Sequence, residues 1–181
     1  MSGPGFENLK ALIVEDNAHM RSLLRALLNS LGVKDISEAS NSQMAIELLR
    51  ERKSDLVLTD LAMKPMDGLE LTRYIRNNDH SPNPFVPIIM ITGHTEKNRV
   101  TSARDAGITE FLAKPISAKS LYQRIVNVVA HPRPFIKTKD YFGPDRRRID
   151  NPNYPGPERR QGGAADIIEQ QSLSAKTKPS A

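Results

Sequence analysis

The chain has 181 residues, 38% hydrophobic, 26% charged and 5% aromatic, with a net charge of +5 and neither Cys nor Trp. That length suits one ordinary domain with an appendage, and the lack of Cys excludes a disulfide framework, a thiolate-held metal centre and thiol catalysis. No apolar run approaches the roughly 18 to 20 residues of a membrane span, and Glu7, Glu15 and Asp16 near the start do not fit a secretory signal, so a cytoplasmic protein is expected.

In chain order, the apolar run Ala11-Leu12-Ile13-Val14 reads as a buried parallel strand within Lys10–Glu15. Met20, Leu23, Leu24, Leu27, Leu28 and Leu31 then recur at helical spacing, and Gly32 supplies the stop. Ile36–Ala39 is a weak strand, followed by a helix carrying Met44, Ala45, Leu48 and Leu49. Leu56-Val57-Leu58 is a strand, followed by a short helix over Leu69–Ile75. Ile88–Ile91 is a strong strand, and a polar helix over Lys97–Ala106 ends at Gly107. Phe111-Leu112-Ala113 is the last strand, before a helix striped by Leu121, Ile125, Val128 and Val129. Strands alternating with helices across short loops predict an α/β fold, a five-stranded parallel doubly wound sheet with helices on both faces.

In such sheets the ligand site lies beyond the carboxyl ends of the strands. Strand one ends in Glu15-Asp16, strand three in Asp60, strand four in Thr92 and strand five in Lys114-Pro115. Carboxylates converging on one edge repel each other unless a cation lies among them, and oxygen ligands with room for water suit Mg²⁺. A hydroxyl and an ammonium beside them suit a phosphoryl group. The chemistry implied is an Asp nucleophile that takes a phosphoryl group from another molecule with metal assistance, since no Gly-rich nucleotide loop precedes a helix. Singly, each residue also fits a helix cap or a solvated turn, and Glu15-Asp16 could cap the first helix. The four His residues show no ligand spacing.

Val14-Glu15-Asp16-Asn17, the run from Asp60 to Gly68, Thr92-Gly93 and Phe111-Leu112-Ala113-Lys114-Pro115 resemble the signature of response-regulator receiver domains, over about Leu9 to Ala130. The resemblance implies a flavodoxin-like fold with Asp60 as phospho-acceptor, and Asp16, Asp60 and the Ala62 carbonyl as Mg²⁺ ligands. Glu15 would reach the metal through water. It also implies that Thr92 and Lys114 contact the phosphoryl oxygens, that Phe111 holds an aromatic switch position, that Lys114-Pro115 is cis, and that a histidine kinase is a partner. Met63-Lys64-Pro65 departs from the family's usual Met-Pro by one residue, placing an extra cation near the site.

Composition shifts near Ala130. Residues 1–130 hold 16 Lys and Arg against 15 Asp and Glu, whereas residues 131–181 hold 10 against 6 and contain 7 of the 13 Pro residues. The expected organisation is a disordered N-terminus (1–8), the receiver-like domain (9–130), a linker (131–140), an Arg-rich region (141–163) and a disordered C-terminus (164–181), in which Ile167-Ile168-Glu169 forms a brief helix or nothing. No helix-turn-helix pattern follows Ala130, which weighs against direct transcription control.

Within the tail, Tyr141-Phe142-Gly143-Pro144-Asp145-Arg146-Arg147 is echoed by Tyr154-Pro155-Gly156-Pro157-Glu158-Arg159-Arg160, with Arg148 and Asp150 extending the first copy. Arg can hold the O6/N7 edge of guanine, pair with phosphate or stack on a base. An acid can accept from guanine's other edge, Tyr offers a stacking face, and Gly-Pro suits a turn presenting acid and Arg together. Two copies suit a ligand with two guanines and two phosphates, and cyclic di-GMP fits. A general polyanion-binding tail (nucleic acid or acidic lipid) explains the arginines but not Asp145 and Glu158; a merely solvated tail explains the Pro content but not the repeat.

A lone receiver domain with such a tail resembles the CheY-like cyclic-di-GMP effectors, the Cle group. That resemblance implies ligand binding over Tyr141 to Arg160 and a non-enzymatic adaptor acting on the flagellar motor switch, recruited there to control motility and surface attachment. The competing expectation is an adaptor driven by phosphorylation of Asp60, its tail a tether or a nucleic-acid contact.

Overall fold

In the computed structural model, residues 5–93, 97–145 and 166–168 are described. Strands β1 (Lys10–Val14), β2 (Asp35–Ala39), β3 (Leu56–Asp60), β4 (Ile88–Thr92) and β5 (Glu110–Ala113) alternate with helices α1 (Ala18–Ser30), α2 (Ser42–Glu51), α3 (Gly68–Asn77), α4 (Lys97–Ala106) and α5 (Ala118–Ala130). The strands pair in parallel in the order β2-β1-β3-β4-β5, so all five expected units are present in a doubly wound sheet.

The apolar runs divide between two cores because successive strand side chains point to opposite faces. Ala11 and Ile13 of β1 join Leu58, Ile89, Ile91 and Leu112 beneath Leu24 and Leu28 of α1 and Leu121, Ile125 and Val128 of α5. Leu12 and Val14 join Val57, Ile88 and Met90 beneath Ala45, Ile46 and Leu49 of α2, Leu71 and Ile75 of α3, and Ala103 of α4. Asn17 and Asn41 cap α1 and α2 by accepting from the Met20 and Met44 N–H groups. Asp67 and Glu70 form a reciprocal capping box on α3, which fixes where the loop after Asp60 ends.

The expected disordered N-terminus is corrected at Phe6, which is only 2% exposed and sets its ring edge-on to Tyr122 at 5.7 Å. The Leu9 N–H donates to the Phe6 carbonyl, folding the segment onto α5. A second correction concerns the tail. Strand β6 (Phe135–Lys137) lies inside the expected linker and pairs antiparallel with β7 (Phe142–Pro144) on one side and β8 (Asp166–Ile168) on the other. The stretch around Ile167 is therefore a strand, because the free edge of β6 offers backbone partners that an isolated three-residue segment lacks. The 131–163 region thus begins with ordered structure rather than an extended tether.

Candidate functional site

Four of the five strands deliver their terminal residues to one edge. Asp60, the last residue of β3, is 5% exposed, and its carboxylate is held from two sides. The Ala62 N–H donates to Oδ2 at 2.8 Å, and the Lys114 ammonium stands 2.7 Å from Oδ1. Lys114 also lies 3.5 Å from Oε2 of Glu15, which is buried at the end of β1. The other Glu15 oxygen accepts from the Asn17 N–H at 3.2 Å, and its carbonyl accepts from Arg21 at 2.8 Å. The structure therefore gives Asn17, rather than Glu15-Asp16, the capping role on α1. Asp16 is exposed at the same edge, and Thr92 is buried at the end of β4.

The loops are tied to the sheet. Leu61 donates to the Ile91 carbonyl at 3.0 Å, and Lys114 donates to the Thr92 carbonyl at 2.9 Å, so the residues after β3 and β5 both hang from β4. Lys64-Pro65 and Lys114-Pro115 are both cis. Phe111 is half-buried and packs against the core under α2, α3 and α4. Gly68, not singled out as a site residue from sequence, opens α3 where a Cβ would stand 2.3 Å from the Asp60 carbonyl oxygen. Only glycine lets α3 begin that close to the end of β3. Arg21 carries no sequence signal of a site role; besides the Glu15 carbonyl it pairs with Glu38 of β2 at 3.2 Å.

The charges at this edge do not balance. Burial raises the Glu15 pKa, and the neighbouring Asp60 raises it further, against the opposing effects of the Asn17 N–H and Lys114. For Lys114 burial works to lower the pKa, but its bond to Asp60 and the charges of Asp60 and Glu15 hold it above the usual lysine value. Glu15 and Asp60 share a single ammonium, leaving surplus negative charge beside the exposed Asp16, a deficit one divalent cation would fill. Among the described residues no group of three acidic or His side chains is gathered closely enough to cage a metal. The residues fit Mg²⁺ nonetheless, because that ion commonly uses one or two carboxylates and keeps several waters.

The first tail copy lies elsewhere. Tyr141 is 9% exposed, its hydroxyl donating to the Pro144 carbonyl at 2.7 Å, and Phe142 is half-buried. Gly143 and Pro144 are in β7 rather than in a turn; the reversal is made by Thr138–Tyr141, where the Thr138 N–H donates to the Tyr141 carbonyl. β7 is an edge strand, where Pro is tolerated. Asp145 is half-buried; its N–H donates to the Pro134 carbonyl, and its own carbonyl accepts from Arg133. Arg146, Arg147, Arg148, Asp150, Tyr154, Gly156, Pro157, Glu158, Arg159 and Arg160 lie outside the described residues.

The hairpin docks on the end of the sheet opposite the acidic edge, against residues preceding β4 and β5. Phe135 and Phe142 meet each other at 5.6 Å and meet Phe85 at 5.2 and 5.3 Å. Arg76 of α3 is 3% exposed; it donates to the Gly107 and Pro84 carbonyls at 2.9 and 2.7 Å and lies 5.0 Å from the Phe135 ring centre. Burial lowers the Arg76 pKa to about 9, against a raising effect of Tyr141.

The family model for the response regulator receiver domain matches residues 11–126, ahead of β6. The chain is 31% identical over 119 residues to chemotaxis protein CheY-3 of Vibrio cholerae, across 66% of this chain and 90% of that protein. It is 29% identical over 120 residues to chemotaxis protein CheY of Pseudomonas aeruginosa, across 66% and 95%. The crystal structure of Vibrio cholerae CheY4 matches with a TM-score of 0.62 at 25% identity, covering 66% of this chain and 98% of that one. The receiver domain of a Pseudomonas aeruginosa sensor histidine kinase, solved with a magnesium ion coordinated in its active-site cleft, matches with a TM-score of 0.58 at 29% identity, covering 66% and 94%. Among the described residues no helix is long and apolar enough to cross a membrane. With the family match spanning more than half of the chain and the acidic edge assembled as described, the chain belongs to the response-regulator receiver family.

Proposed function

We propose that this chain is a receiver-type adaptor that accepts a phosphoryl group on Asp60 and, through its Arg-rich tail, cyclic di-GMP, and passes both inputs to a protein partner. The observation that carries the first input is the Asp60 carboxylate held between the Ala62 N–H and the Lys114 ammonium at the mouth of the sheet. An Asp60 oxygen attacks the donor's phosphorus, the donor's P–O or P–N bond breaks with its electron pair leaving on the donor, and an acyl phosphate forms. The two groups that grip the carboxylate orient it for this attack. Lys114 then stands beside the transferred group, with Thr92 at the end of the adjacent strand to donate its hydroxyl. Asp16, Asp60 and the Ala62 carbonyl would hold Mg²⁺, with Glu15 reaching it through water, and the bound ion would supply charge compensation for the phosphoryl oxygens. A histidine kinase is the matching donor.

The second input is favoured by the repeated Tyr-x-Gly-Pro-acid-Arg-Arg order, which offers two sets of stacking, acid and guanidinium groups to a two-guanine ligand. Two of the relatives are named chemotaxis proteins, which favours the flagellar motor switch as the partner. The test is to incubate the full chain with Mg²⁺ and acetyl phosphate, follow phosphoryl incorporation by intact mass, and titrate cyclic di-GMP by calorimetry with GTP as control. Incorporation lost in Asp60→Asn and saturable binding of the cyclic dinucleotide alone are expected; failure of either removes that input.

A further inference from the structure

The tail hairpin sits in a receptor made for it. Phe85, in the loop before β4, takes both hairpin phenylalanines, and Arg76 reaches up from α3 to lie over Phe135. Two glycines meet where β7 crosses the end of α4. A Cβ on Gly107 would stand 2.9 Å from the Phe142 carbonyl oxygen, and one on Gly143 would stand 2.9 Å from the Gly107 Cα. Arg133 ties the start of the hairpin down by donating to the Thr109 and Asp145 carbonyls. Gly143 of the first tail copy is thus occupied in packing against the receiver domain. Tyr141 is equally committed, its face buried and its hydroxyl spent on Pro144.

The receptor is not at ease when filled. Among the described residues Arg76 hydrogen-bonds to two carbonyls and lies over an aromatic face, and its second terminal nitrogen is buried with no hydrogen-bond partner. Among the described residues no carboxylate pairs with Arg76, and a buried guanidinium so placed favours any state that returns it to water. Aromatic burial therefore holds the hairpin against a cost that undocking relieves, which is the balance a two-state element needs.

We infer that the β6–β7 hairpin is a strap whose docking on Arg76, Phe85 and Gly107 is mutually exclusive with ligand stacking on Tyr141 and Phe142, so that cyclic di-GMP capture lifts the strap and uncovers this end of the receiver domain. This rests on the proposed dinucleotide binding by the tail. A base can stack on Tyr141 only after that side chain leaves its buried position. The free chain accordingly pays a conformational tax on ligand affinity equal to the stability of the docked state. Uncovering exposes Arg76 and Phe85, a cation beside an aromatic ring, at the start of the strands that carry Thr92 and Lys114 at their other ends.

The experiment is amide hydrogen exchange on the full chain with and without saturating cyclic di-GMP, together with calorimetry on wild type, Phe85→Ala and Phe135→Ala. Neither variant lies in the dinucleotide set, and the amides of β1 and β3 report whether the receiver fold is intact. Ligand is expected to speed exchange over residues 135–145. Each variant is expected to speed it without ligand and to tighten binding about tenfold, as the docking tax is removed. Ligand that binds with hairpin protection unchanged, and with equal affinity in both variants, overturns the strap while leaving dinucleotide binding standing. Absence of binding in wild type and in both loosened variants overturns dinucleotide binding and the strap with it. Hairpin exchange unaltered by both substitutions also overturns the strap, since the aromatic cluster would then not be what holds it.

Discussion

The two ends of the central sheet solve the problem of buried charge in opposite ways. At the carboxyl end, Glu15 and Asp60 share one ammonium, and the surplus negative charge is left facing solvent beside the exposed Asp16. At the amino end, Arg76 is buried among carbonyls and a phenyl ring, and the chain's own hairpin closes over it. An end with surplus negative charge open to water attracts a cation. An end whose charge is covered by aromatic rings recruits nothing until the cover moves. One sheet thus leaves one charged end open to solvent and covers the other with a segment of its own chain.

Substitutions that strike one end and spare the other test this division. The largest effect is expected from Asp60→Asn, which keeps the shape of the carboxyl end but removes the nucleophile; phosphoryl incorporation should fall to background while hairpin protection in hydrogen exchange stays unchanged. Phe135→Ala should do the reverse. Removing a phenyl ring that is 2% exposed costs about 3–5 kcal/mol in a well-packed core, and here the loss falls on the hairpin, read as fast exchange over 135–145 with phosphorylation intact. Gly68→Ala is intermediate. Its methyl group would meet the Asp60 carbonyl, so α3 or the acceptor loop must shift, at about 1–3 kcal/mol of overpacking. Phosphorylation should slow several-fold and the melting temperature should drop. A normal rate would mean the loop absorbs the methyl group without moving Asp60.

The carboxyl end was legible in the sequence because its chemistry sits at positions the topology dictates. An apolar run long enough for a strand, ended by Asp60 or by Lys114, places that side chain at the mouth whatever the rest of the chain does. The contributions of Gly68 and Arg21 were not legible, since one depends on a close backbone approach and the other on a carbonyl six residues away in sequence. The amino end was nearly invisible. Arg76 reads as an ordinary polar-face residue of an amphipathic helix, and Phe85 as a loop aromatic between prolines. Only the contact with residues some 50 positions later turns them into a receptor. The residue types of the repeat indicate what it could bind, yet the Tyr and Gly of its first copy also serve packing, and residue type alone cannot divide those roles. One signal was present: four of the nine aromatics fall within 135–154, more than a solvated linker needs.

The smallest expected effect separates the ends by pH. The raised pKa of Glu15, caused by burial and by Asp60, means that the folded chain binds this proton more tightly than the unfolded chain does. Its contribution to stability therefore declines as pH rises from 4.5, the ordinary value, through the raised one. Cation binding runs the other way, because protonating Glu15 removes one of the negative charges that attract the ion. Mg²⁺ affinity measured by calorimetry should weaken as pH falls toward the raised Glu15 value, beginning above the ordinary glutamate range, and Glu15→Gln should bind more weakly at neutral pH and lose that upper part of the pH dependence. Arg76, whose lowered pKa of about 9 still leaves it charged over this interval, adds nothing to it, so exchange over the hairpin should stay level once corrected for the intrinsic effect of pH. A hairpin that loosens in step with Mg²⁺ affinity would show that the two ends are energetically coupled through β4 and β5 rather than independent.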